Sequence, residues 1–189
     1  MNILYINGHP YAKSFHAAIR DQYVAAARAN GHTVDVLNLG ERAFDPVLRF
    51  GYSERMPQDA VVEEAQRLVK KADHLVFTYP LWWGMPTSLL MGWIARVFTP
   101  GFSYHMTSMS KSERFLIGKT ADIIITSRAP RFAWLFVGNS GAAPLTRNLF
   151  YLTGIKKRKI LVLDFMSLKP DTLARRKKFL KKVARLAQP

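Results

Sequence analysis

The chain has 189 residues, 49% of them hydrophobic, no cysteine and a formal net charge of +15. Length and apolar share fit a single domain over residues 1–189, and the missing cysteines exclude disulfides, thiolate metal sites and cysteine nucleophiles. The charge is uneven: 12 of the 28 Lys and Arg lie between Lys156 and Arg185, so that end either attracts an anionic partner or is a solvated helix face.

The opening MNILYINGHP lacks a basic leader and does not read as a signal peptide, so a cytoplasmic location is expected. Asn2–Asn7 is an apolar run closed by Gly8, the pattern of a buried parallel strand. Ser14 is a suitable N-cap, and Phe15, Ile19, Tyr23 and Ala26 recur at helical spacing until Asn30 and Gly31 stop the helix. Residues 33–39 are apolar on both faces and predict a second strand beside the first. Gly40, Pro46, Gly51 and Pro57 mark 40–60 as loop, and 61–71 form an amphipathic helix with basic residues in its last turn.

Residues 75–95 carry no charge and are long enough to raise the question of a membrane span. Pro80, Gly84, Pro86 and Gly92 divide them instead into a strand over 74–79, a loop and a helix over 87–98, so no transmembrane segment is expected. Residues 99–119 read as a surface excursion that covers a ligand or a partner subunit. A fourth strand at 120–127, a helix at 143–152, a fifth strand at 159–163 and a helix at 171–187 complete the chain. In that last helix Arg175, Arg176, Lys177 and Lys178 wrap around the axis rather than forming one stripe, which argues against a specific nucleic-acid partner. Peripheral contact with an anionic membrane stays open.

Apolar strands alternating with helices predict an α/β protein, an open parallel sheet with helices on both faces. Ligands then bind beyond the carboxyl ends of the strands, which singles out 8–15, 80–86 and 126–130. The first turn, GHPYAKSF, lacks the dinucleotide and Walker glycine patterns. It offers His9, Ser14 and the N–H groups of a helix N-terminus, either a phosphate site or a plain loop with a structural cap. The second segment, YPLWWGMP, places Trp82 and Trp83 in a loop, where a flat ligand or the 99–119 excursion would have to cover them. The third supplies the hydroxyls of Thr126 and Ser127 and the charge of Arg128, which either stabilises a reduced cofactor or is simply solvated. His9 and His16 have no carboxylate between them to complete a metal set, and no G-x-S-x-G elbow occurs. No metal is expected, and no side chain stands out as catalytic acid or base.

The segments ILYINGHPYAKSFHAAI and TYPLWWGMPTSLLMGWIARVFTPGFSY, and more weakly the final strand and helix, resemble the NAD(P)H:quinone reductases, the DT-diaphorase-like flavoproteins. The resemblance implies a flavodoxin-like, doubly wound five-stranded sheet of order 2-1-3-4-5. It implies that His9, Ser14, Phe15 and His16 hold the flavin's phosphate end, that Pro80, Leu81, Trp82, Trp83 and Gly84 line the isoalloxazine, and that Thr126 and Ser127 border its pyrimidine side. It further implies a homodimer that relays hydride from NAD(P)H through flavin to a quinone-like small molecule. Where those reductases have two Thr and two Gly, this chain has Thr126-Ser127-Arg128-Ala129, and their assisting Tyr and His have no clear match. Residues 130–154 resemble instead a bacterial subgroup of reductases. The short C-terminus after the fifth strand favours FMN, with FAD as the alternative. The rival reading is a non-enzymatic flavin-binding electron carrier or a regulatory accessory subunit.

Overall fold

The computed structural model describes residues 1–57, 59–108, 111–133 and 141–188. Five parallel strands form the sheet: β1 (Asn2–Asn7), β2 (Thr33–Asn38), β3 (His74–Leu81), β6 (Thr120–Ser127) and β7 (Lys156–Leu163), in the order β2-β1-β3-β6-β7. Counting only these strands, this is the expected 2-1-3-4-5. The sequence folds this way because successive side chains of a strand serve opposite faces. Leu4 and Ile6 of β1, Leu75, Phe77 and Tyr79 of β3, and Ile123 and Ile125 of β6 pack on one face; Ile3, Tyr5, Val76 and Ile124 pack on the other.

Helices α2 (Ala60–Lys71) and α3 (Ser88–Val97) cover the first face with Leu68, Val69, Leu90, Trp93 and Val97. Helix α1 (Phe15–Ala29) and the C-terminal helix, Leu173–Leu186, cover the second with Ile19, Tyr23, Phe179 and Val183. The first face also receives a helical segment that is π-wound over Pro144–Leu149 and continues as α4 (Phe150–Thr153); the C-terminal helix is therefore α5. No helix among the described residues is long and apolar enough to cross a membrane.

Beyond shifts of one or two residues at element ends, three features differ from the sequence reading. Strand β3 runs on to Leu81, because Pro80 and Leu81 pair in register with Thr126 and Ser127. Strand β7 begins at Lys156 rather than at residue 159: at the edge of the sheet its early side chains reach solvent, so polarity did not forbid a strand, and the ladder shifts register between Ala121 and Ile123. The excursion over 99–119 contains an antiparallel hairpin of β4 (Tyr104–Met106) and β5 (Ser112–Arg114), too short to produce a readable alternation.

Candidate flavin site

Two of the three loops at the sheet's carboxyl edge are tied together through main chain. Gly8 N–H donates to the Thr78 carbonyl at 2.8 Å, and the Thr87 hydroxyl donates to the Gly8 carbonyl at 2.7 Å while accepting from Leu90 N–H as the N-cap of α3. Asn7 Oδ1 accepts from His9 N–H at 3.2 Å and turns the chain out of β1. Asn7, Thr78 and Thr87 are thus the site's framework. Sequence reasoning passed over them, although Asn before Gly and Thr after Pro86 are turn and cap signals.

His9 and Ser14 sit where the sequence places them. His9 Nδ1 accepts from Tyr11 N–H at 3.0 Å, so the neutral ring carries its proton on Nε2 as a donor, and partial burial lowers its pKa. Its ring meets the Trp82 ring edge-on at 5.8 Å. Ser14 occupies the N-cap of α1, yet its side chain makes no cap hydrogen bond, and its Oγ is buried without a partner. A desolvated hydroxyl left unpaired is unfavourable. It lies where helix N–H groups lack intrahelical acceptors and where the first turn holds no acidic residue, so a phosphate oxygen is the acceptor that this corner fits.

The tryptophan loop is a two-residue turn. Trp82 and Met85 exchange backbone hydrogen bonds at 3.0 Å each way, and the residues between them, Trp83 and Gly84, have φ of 55° and 72°. Positive φ at both central positions is the type I′ pattern; Gly84 takes it without strain, whereas a tryptophan there is a conformational outlier. Trp83 is fully exposed and Trp82 is 48% exposed, so the 99–119 excursion does not cover them. Strain that presents a large aromatic surface to solvent beside a phosphate corner suits the stacking of a flat ring.

Several expected ligands are placed differently. The His16 side chain is buried beneath the loops, its Nδ1 bonded to Thr78 Oγ1 at 2.8 Å and its Nε2 to Thr126 Oγ1 at 2.9 Å. Burial, and then the neighbouring His9, push its pKa down to about 3, so it is a neutral strut joining α1 to β3 and β6. Only its backbone N–H remains for a phosphate. Pro80 and Leu81 are buried in the ladder at the end of β3, which leaves main chain rather than a side-chain lining at this point. Thr126 is engaged with His16, and the Ser127 hydroxyl donates to the Ala129 carbonyl at 2.9 Å, leaving acceptor capacity. Phe15 opens α1 under the Arg176 guanidinium, 5.1 Å from its ring centre, and Arg128 is exposed just past β6. A cavity of about 590 Å³ between residues 48–57, α2 and residues 99–102 includes none of these loops.

A family model described as the flavodoxin-like fold matches residues 1–186. The chain belongs to this flavodoxin-like family. An uncharacterized NAD(P)H oxidoreductase of Haemophilus influenzae is 31% identical over 163 residues, 82% of this chain and 80% of the relative. NAD(P)H dehydrogenase (quinone) 1 of Cavia porcellus is 33% identical over 129 residues, 56% of this chain, a match that spans 46% of the guinea-pig enzyme. A crystal structure from Streptococcus mutans superposes with a TM-score of 0.85 at 34% identity, covering 100% of this chain and 99% of that one. In this flavodoxin-like chain, then, the three loops that the sequence singled out do lie at the sheet's carboxyl edge.

Proposed function

We propose that the protein is a flavin-dependent NAD(P)H oxidoreductase that passes reducing equivalents to a quinone or a similar small-molecule acceptor. The carrying observation is the pairing, at one edge of the sheet, of a buried, partnerless Ser14 hydroxyl at a helix N-terminus with a strained turn that exposes Trp83. The named relatives support the class of reaction.

In this reading the flavin supplies the hydride chemistry, and the chain binds and orients it. His9 Nε2–H, the Ser14 hydroxyl and the backbone N–H groups of Phe15 and His16 take the phosphate. The turn Trp82-Trp83-Gly84 and the backbone at Pro80 and Leu81 line the ring, and Thr126, Ser127 and Arg128 border its far edge. The His16 strut holds two of these strand ends at fixed spacing and remains neutral, so it moves no proton near neutral pH. FMN is taken as the flavin, with FAD as the alternative that the spectrum after incubation with each distinguishes. A homodimer completes the site by shielding the exposed tryptophans, residues 1–189 act as one domain, and the enzyme works in the cytoplasm.

The test is the visible spectrum of the protein after incubation with FMN or FAD and desalting, read anaerobically before and after NADPH. A retained flavin band that bleaches is expected. A retained band that NADPH leaves unchanged supports the electron-carrier or accessory reading, and the absence of a retained band refutes the site.

A further inference from the structure

The opposite, amino-terminal edge of the sheet presents a surface that the redox reading does not use. The turn after β5 projects Phe115 (42% exposed) and Ile117 (73%), and Tyr151 of α4 stands beside them at 56%. Three contacts hold these groups in one corner: Leu116 N–H donates to the Thr153 carbonyl at 3.0 Å, the Arg114 guanidinium lies 4.6 Å from the Tyr151 ring centre, and Lys156 N–H donates to the Lys119 carbonyl at 2.9 Å. Lys156, Lys157 and Lys159 are exposed along the edge strand β7 directly after it.

Helix α5, on the second face, adds charge at its C-terminal end. Asp164 takes Arg175 and Asp171 takes Arg176, so the two arginines that break up the basic pattern in the sequence are withdrawn into ion pairs. Lys177, Lys178, Lys181, Lys182 and Arg185 are left exposed, and at 100° per residue they share one arc opposite the packed side chains of Phe179, Val183 and Leu186. The four consecutive basic residues 175–178 do wrap around the axis, and it is the cations left outside ion pairs that share an arc. Because Arg175 and Arg176 anchor the helix start beside Asp164 and Phe15, at the carboxyl edge, α5 runs back and delivers Arg185 toward the edge where Lys156 begins β7. None of these cations takes part in an ion pair among the described residues, and Glu113 is an acidic neighbour in the corner.

We propose that the corner formed by Phe115, Ile117 and Tyr151, flanked by Arg114, Lys156 and Lys157, docks the protein on an anionic lipid bilayer. Isoleucine and aromatic rings enter the interfacial layer, where a tyrosine hydroxyl stays hydrated, while the lysines that open β7, with Arg185 at the end of α5, lie against lipid phosphates. A nucleic acid would use the cations but gives a protruding isoleucine nothing to bury against. A second copy meeting this patch about a two-fold axis would set its own lysines against their equivalents. Docked by this edge, the protein keeps the mouth at the carboxyl edge turned away from lipid, so the inference does not rest on the flavin reading.

The test is sedimentation of the full chain with vesicles of phosphatidylglycerol and phosphatidylcholine in equal parts, against phosphatidylcholine alone, at about 0.15 M salt. Binding only to the anionic vesicles is expected. Lys156→Glu with Lys157→Glu lowers partitioning on the order of 100-fold, and Ile117→Ser lowers it roughly 10-fold. Unchanged melting temperatures of both variants establish that folding is intact. Equal binding to both vesicle types overturns the proposal, as does an Ile117→Ser protein that binds like the wild type. It also fails if Ile117→Ser dissociates an oligomer in solution, or if duplex DNA at the same salt outcompetes the vesicles.

Discussion

Ser14→Ala separates a ligand-binding hydroxyl from an ordinary helix cap, because the two roles predict opposite signs. A working N-cap loses about 0.5–2 kcal/mol of folding stability on replacement by alanine. Ser14 has the cap position, with extended backbone at φ −80° and ψ 168°, but its Oγ receives no N–H and is buried without a partner. Removing it from the flavin-free protein therefore deletes an unsatisfied group, and the midpoint of urea unfolding should stay level or rise. The same hydroxyl donating to a phosphate is a hydrogen bond to a charged acceptor, worth about 1.5–3 kcal/mol, which is about 10- to 150-fold in affinity. Flavin fluorescence titration of wild type and Ser14→Ala, alongside urea unfolding of both flavin-free proteins, measures the two quantities. A flavin-free protein destabilised by about 1 kcal/mol with flavin affinity unchanged would refute the reasoning, since Ser14 would then be a structural cap.

Trp82→Ala removes an aromatic that is half-exposed and touches His9, so flavin affinity should fall roughly 10-fold or more, and an unchanged titration would remove Trp82 from the site. His16 fixes a pH dependence. Its pKa falls from 6.5 to about 3 on folding, so between those values the unfolded chain binds the extra proton; the stabilisation is complete above pH 6.5 and is lost as pH falls toward 3. Urea unfolding should show a slope approaching about 1.4 kcal/mol per pH unit in that window, absent from His16→Gln; equal slopes in both proteins would refute the burial. Gly92→Ala tests how closely the 40–60 loop lies on α3: an added Cβ would fall 2.5 Å from Pro46 Cβ and closer still to its carbonyl oxygen. A loss of about 1–3 kcal/mol is expected, and an unshifted urea midpoint would contradict that approach.

Local pattern determined much of this molecule. Strands apolar on both faces, alternating with amphipathic helices, define a parallel sheet covered on both sides, and Asn30 and Gly31 end α1 because a left-handed stop is chemistry of single residues. The three loops at the carboxyl edge follow from that architecture. The turn at Trp82 to Met85 was legible as a turn from Gly84, but not as one that forces a tryptophan to positive φ, since its geometry depends on how β3 ends.

What only the tertiary structure decided is where polar groups find partners. The family resemblance makes His16 a phosphate ligand, yet Thr78 and Thr126, 62 and 110 residues away, bring hydroxyls to both ring nitrogens. No local signal carries such a pairing, because burial and hydrogen-bond satisfaction belong to the assembled sheet. Ser14 is the converse, a capping residue whose expected bond the fold leaves unmade. At the other edge, the basic composition was evident in the chain, but only the fold shows that Arg175 and Arg176 are taken up by Asp164 and Asp171. Composition sets the amount of charge, and folding sets which of it meets solvent.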